Sequence, residues 1–200
     1  MTQHLRLLGP RSLLGAAALV AALALPATTL AATFDGTPGP DHLVGTEDAD
    51  TINGLAGDDI LEGRGGNDDI DGGLGNDWIY GGLGNDRIFG GEGRDKIRGG
   101  PGTDIIGGGS GADAIGGGDG ADVIRGGPGP DLLLGGNGND VIGGGAGRDL
   151  VYGGAGNDII HVGGDRTPDA VHCGPGWDVA YIGRFDVADA SCEKIVRTLE

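Results

Sequence analysis

A period of nine residues runs without a gap from Gly36 to His161 and repeats fourteen times. A unit this short cannot bury an apolar face by itself, so it must stack on copies of itself. The blocks Gly72-Gly73-Leu74-Gly75-Asn76-Asp77-Trp78-Ile79-Tyr80 and Gly81-Gly82-Leu83-Gly84-Asn85-Asp86-Arg87-Ile88-Phe89 show the pattern most cleanly. Position 1 is Gly in all fourteen blocks, and position 4 is Gly in all but the second, which has Asp48. Position 6 is always Asp, from Asp41 to Asp158, and position 8 is always aliphatic, from Leu43 to Ile160. Position 2 is Gly in ten blocks; Thr37, Thr46, Leu55 and Arg64 hold it in the first four.

Each column has a physical reading. The three residues centred on position 8 predict a short strand with its middle side chain turned inward. The Gly-rich six before it predict a turn, because Gly admits positive φ and lets neighbouring backbones approach closely. Asp supplies a hard anionic oxygen ligand. Two blocks make one coil of 18 residues, and fourteen blocks make seven coils. Stacked at about 4.8 Å per strand, seven coils span roughly 34 Å. The fold class is all-β: a right-handed parallel β-roll, or β-solenoid, with a core of position 8 side chains.

The pattern Gly-Gly-x-Gly-x-Asp-x-U-x, with U a large aliphatic, resembles the RTX, or hemolysin-type, calcium-binding nonapeptide repeat. The resemblance implies that Ca2+ sits between turns stacked one coil apart, held by Asp carboxylates and by carbonyls of the Gly-rich turn. It points to Asp59, Asp68, Asp77, Asp86, Asp95, Asp104, Asp113, Asp122, Asp131, Asp140, Asp149 and Asp158 as metal ligands. Asp41 and Asp50 belong to the same column, but their turns depart from the pattern at position 2. The implied carbonyl donors are those of Gly72, Gly73, Gly75, Gly81, Gly82, Gly84, Gly90, Gly91, Gly93 and their equivalents. Six gaps along each edge set an upper bound of 12 ions. Burial of one aliphatic residue in nine is small against the ordering cost of so much Gly. The chain is therefore expected to be largely disordered without calcium and to fold on binding it.

Residues 1–31 read differently. Arg6 and Arg11 precede an apolar run from Leu13 to Leu25, Pro26 breaks it, and small residues lead to Ala31-Ala32. This is the layout of a secretory signal peptide; the run is too short to span a bilayer, which takes about 20 apolar residues. Its removal leaves 11 Lys and Arg against 30 Asp and Glu. A chain so acidic does not coat nucleic acid by electrostatics, and membrane insertion is not expected. Gly at 48 of 200 residues opposes helices, while the lack of a Gly-X-Y period excludes collagen.

The period fails after His161. Residues 163–171 read as a repeat with one residue inserted, and residues 173–181 as a last degenerate block. Two cysteines in a secreted chain predict one disulfide, Cys173–Cys192. The expected organisation is a leader (1–31), the β-roll (32–161) and a small disulfide-linked cap (162–200), with Trp177, Tyr181, Ile182 and Phe185 covering the last coil.

No His-Glu-x-x-His or Gly-x-Ser-x-Gly motif occurs, and the segment after the repeats is too short for a catalytic domain. The reading is a secreted, extracellular, non-enzymatic calcium-binding protein. The alternative is an adhesion or matrix module in which calcium is only structural. The outer strand faces are the remaining surface for self-association or an extracellular partner. On them position 7 predicts two stacks, Arg87-Ile105-Val123-Val141-Ile159 and Trp78-Lys96-Ala114-Leu132-Leu150.

Overall fold

The computed structural model describes residues 31–198. The expected leader lies outside the described residues, apart from its final Ala31. Nineteen strands follow in chain order, with no helix among the described residues. They are β1 (Thr33–Asp35), β2 (His42–Val44), β3 (Thr51–Asn53), β4 (Ile60–Gly65), β5 (Asp69–Leu74), β6 (Trp78–Leu83), β7 (Arg87–Gly93), β8 (Lys96–Pro101), β9 (Ile105–Gly111) and β10 (Ala114–Asp119). Then come β11 (Val123–Pro128), β12 (Leu132–Asn137), β13 (Val141–Ala146), β14 (Leu150–Ala155), β15 (Ile159–His161), β16 (Ala170–His172), β17 (Val179–Ile182), β18 (Val187–Ala188) and β19 (Lys194–Arg197).

Odd-numbered strands form one parallel sheet of ten and even-numbered strands a second of nine. The chain alternates between the sheets, so each pair of strands is one coil of a parallel β-solenoid of about nine coils. The register advances by 18 residues: Ile70 pairs with Ile88, and Ile115 with Leu133. The same register aligns every position 8 side chain between the two sheets. All fourteen are buried, none more than 4% exposed, and they form one continuous core.

The strands are longer than the three residues the period suggests. From β4 to β14 they run six or seven residues, from position 7 through at least position 3 of the next block. Half of the expected turn is thus extended backbone that pairs with its copy one coil away, as Gly73 does with Gly91 and Leu74 with Glu92. The reason is backbone satisfaction: stacked coils offer each N–H and C=O a partner, and buried backbone groups require one.

Stacking also explains the Gly columns. At Gly90, position 1, a Cβ would lie 2.5 Å from both the Gly108 carbonyl oxygen and Asp95 Oδ2. At Gly84, position 4, φ is +129° and a Cβ would collide with the Gly66 carbonyl of the preceding coil. Two early blocks nevertheless hold positive φ at position 2 without Gly, Leu55 at 74° and Arg64 at 77°.

Both sheets continue past His161. Strand β16 pairs with β14 and β17 with β15, each with a register of 20 residues: Ala170 lies beside Leu150 and Tyr181 beside His161. The offset of two residues is Val162 before the block together with the one residue inserted within it. The segment 163–168 absorbs it through Asp165 and Thr167, which bond to the backbone of Gly147. Cys173 and Cys192 form the expected disulfide, both buried. Of the four residues expected to cover the last coil, Ile182 is buried, while Trp177 and Phe185 are exposed. Tyr181 stacks on His161 along the outer face instead. The inward positions there are taken by Val171, Ala180, Ile182 and the disulfide, leaving the bulky rings outside.

Neighbouring residues on one strand should respond very differently to truncation. Ile124→Ala should lower the unfolding free energy by about 2–5 kcal/mol, as cavity-forming core substitutions do. Val123→Ala, on the outer face, should change it by less than about 1 kcal/mol. Denaturant unfolding of the calcium-loaded chain measures both.

Candidate metal centre

Every position 6 Asp lies at a corner of the coil, where the turn hands over to the next strand, and every one is buried. From Asp59 onward its Oδ1 accepts the backbone N–H of the Asp one coil earlier: Asp59 N–H donates to Asp77 Oδ1 at 2.9 Å, and Asp86 N–H to Asp104 Oδ1 at 2.8 Å. The bonds link the Asp residues into two ladders, one along each edge. One runs Asp41, Asp59, Asp77, Asp95, Asp113, Asp131, Asp149. The other runs Asp50, Asp68, Asp86, Asp104, Asp122, Asp140, Asp158. The spacing of 18 expected from the sequence is thus met throughout.

The ladders continue beyond the regular repeats. Asp149 donates to Asp169 and Asp169 to Asp186; Asp158 donates to Asp178 and Asp178 to Glu193 Oε2. Asp169 and Asp178 were not among the sequence candidates. Their signal was present, since each precedes an alternating strand in a degenerate block, but the insertion hides their phase. A second, exposed ladder was also missed. At position 5, Asp58 and Asn67 accept the N–H groups of Asn76 and Asn85 one coil on.

The second carboxylate oxygen behaves differently. Oδ2 is buried without a hydrogen-bond partner at fourteen rungs: Asp169, Asp178 and all twelve regular positions from Asp59 to Asp158. At three of the four ladder ends, Asp41, Asp50 and Asp186, it is satisfied. Thr37 and Thr46, at position 2, each donate backbone N–H and hydroxyl to the Oδ2 of Asp41 and Asp50, the hydroxyl at 2.9 Å in both. Asp186 Oδ2 accepts the Gly183 N–H at 2.6 Å. Non-Gly residues at position 2 therefore do not simply disturb the turn. The two threonines replace an external partner with a side-chain hydroxyl.

Burial raises the interior carboxyls above the usual range. Asp104, Asp131 and Asp169 are pushed up to about 7, and Asp59, Asp68, Asp95 and Asp140 to about 6. Desolvation is the largest cause, the N–H bond from the preceding rung opposes it, and the carboxylates above and below add to the rise. A column of buried, partnerless anionic oxygens is costly. Two agents can relieve it, a proton or a cation.

The residues present fit a hard divalent cation. Each gap offers carboxylate oxygens from stacked Asp, and turn carbonyls face the adjacent coil, as at Gly90 and Gly108. No group of three or more His, Cys, Asp or Glu side chains converges among the described residues. Carbonyls must then complete any coordination shell, an all-oxygen set that suits Ca2+ better than softer metals.

The raised carboxyls set a sign for pH dependence in the metal-free state. The folded chain binds more protons than the unfolded one between about 3.8 and about 7. Stability is thus fullest at the acid end and is lost as pH rises through the folded values. In EDTA, β structure followed by circular dichroism should increase as pH falls from 8 toward 5. Excess calcium should flatten or reverse that trend, because the cation stabilises the ionised form.

Comparison with known families finds six overlapping matches to the model of the RTX calcium-binding nonapeptide repeat (4 copies), at residues 35–70, 44–79, 62–96, 80–115, 116–151 and 135–166. No curated protein matches the chain. The matches cover well over half of its length, across the same blocks that carry the Asp ladders. The chain belongs to the RTX calcium-binding nonapeptide-repeat family.

Proposed function

We propose that this is a secreted calcium-binding β-roll, without catalytic activity, that folds as Ca2+ fills the gaps along its two Asp ladders. The observation that carries the reading is the set of fourteen buried Oδ2 atoms lacking a partner, bounded by self-satisfied rungs at Asp41 and Asp50 and, on one ladder, at Asp186. Asp59, Asp68, Asp77, Asp86, Asp95, Asp104, Asp113, Asp122, Asp131, Asp140, Asp149 and Asp158 would hold the ions, joined by Asp169 and Asp178. Carbonyls of the Gly-rich turns would complete the shells. Asp41 and Asp50 would contribute least, since Thr37 and Thr46 already occupy their free oxygen.

The acidic composition and the leader support an extracellular setting, where free calcium is abundant. The division into leader, roll and C-terminal cap belongs to this proposal, with the cap formed by coils stacked on the roll and held by the disulfide. A second reading, an adhesion or matrix module with calcium as staple, is favoured by the exposed apolar side chains of the outer faces, such as Trp78 and Ile105.

Calcium titration from EDTA, followed by far-UV circular dichroism and calorimetry, tests the first reading. A cooperative gain of β signal is expected at sub-millimolar to millimolar calcium and not with magnesium. Asp104→Asn should remove ions from the measured stoichiometry and raise the calcium midpoint, whereas Asp41→Asn should leave the stoichiometry unchanged. A chain that is fully folded in EDTA at neutral pH, with no calcium uptake, would refute the proposal.

A further inference from the structure

The outer face of the odd-numbered sheet carries a shallow groove of about 1090 Å³ across β5, β7, β9 and β11. Leu74, Phe89 and Ile105 line it, each about half exposed. Asp71 lies on its wall on β5 and Arg125 on β11. Among the described residues, neither makes an ion pair. Three strand spacings, about 14 Å, keep them from meeting within one chain.

Their placement is symmetric about the midline between β7 and β9. The outward position 9 residues of the first eight odd strands read Asp35, Asn53, Asp71, Phe89, Gly107, Arg125, Gly143, His161. The acids lie in the first half, and Arg125 and His161 in the second. A two-fold axis along the strands, passing between β7 and β9, turns this column onto itself in reverse. It sets Asp71 opposite Arg125, Asp35 opposite His161 and Phe89 opposite Gly107. The position 3 residues follow, with apolar Leu74 opposite Pro128 and Glu92 opposite Ser110. Phe89 already lies over Gly107 of its own chain, where a Cβ would sit 3.1 Å from the ring. The small residue leaves room above it for a second ring.

We propose that this face is a two-fold interface between two copies of the chain, deepening the interaction reading given above by naming the partner. The position 9 column is self-complementary, as a closed dimer requires, while position 7 sets Arg87 opposite Ile105 and Asp69, already paired with Arg87 at 3.9 Å, opposite Val123. Eight overlapping strands, several of them short, cover roughly 600 Å² per copy, or about 1,200 Å² in all, the lower end of stable interfaces. The even sheet does not share the polarity: its position 9 column carries Glu62 and Arg98 only two strands apart, flanking Tyr80.

Sedimentation velocity of the calcium-loaded chain over a hundredfold range of concentration tests the interface. A monomer–dimer equilibrium is expected. Asp71→Arg and Arg125→Asp should each weaken it tenfold or more by setting like charges face to face, and the double exchange should restore it. Phe89→Ser should weaken it at least as much. A monomer at all concentrations overturns the proposal. So do single exchanges without effect, a double exchange that fails to recover, or open-ended polymers. Circular dichroism of the same samples separates the two readings. A monomer with its full calcium-induced β signal refutes the interface alone; a dimer indifferent to calcium refutes the calcium reading alone.

Discussion

The Asp carboxylate at the coil corner is the interaction from which the rest of the structure follows. One oxygen is committed to the N–H of the rung before, which holds successive coils in register. The other is buried beside the first Gly of its own block and has no protein partner in the interior of the ladder. An anion in that position is tolerable only if neutralised. The same side chain thus provides the structural link between coils and an anionic oxygen that the polypeptide itself leaves without a partner.

This arrangement makes the fold quasi-one-dimensional. Each coil contacts only its neighbours, and each interior Asp links the coil before it to its own. The ends need a different solution because they have no further coil. At the N-terminal end two threonines satisfy the terminal carboxylates. At the C-terminal end a shortened register, the Gly183 N–H, Glu193 and the Cys173–Cys192 disulfide serve the same purpose. A cross-link closing a loop of this length contributes about 3 kcal/mol in the chain-entropy model, useful where no further coil follows.

Interior and exterior obey different constraints. Positions 1, 4, 6 and 8 are dictated by stacking and scarcely vary. Positions 7 and 9 point outward and carry Trp, Tyr, Phe, Arg, Lys, Asp and Gly in no common order. Variation confined to the outer faces is what a scaffold leaves free for recognition. The reversed charge order about the line between β7 and β9 is a property of that free surface, not of the repeat.

Much of this was legible in the sequence because the repeat is local. A Gly, Asp and aliphatic column at period nine already specified the inward residue, the corner carboxylate and the pairing at 18, and two cysteines specified the disulfide. What the sequence left open concerns contacts between coils. Whether positions 1 to 3 turn or extend depends on the ladder partner one coil away, and they extend. Asp169 and Asp178 become rungs only because the two-residue offset is absorbed in a loop, which restores the register. Trp177 and Phe185 stay outside because the last coils fill their inward positions from other residues. That Thr37 and Thr46 close off the ladder follows from the turn geometry around Asp41 and Asp50. A nine-residue pattern determines what each block presents; only stacking decides which atom each presented group meets, because the partners lie 15 to 20 residues away in sequence and about 4.8 Å away in space.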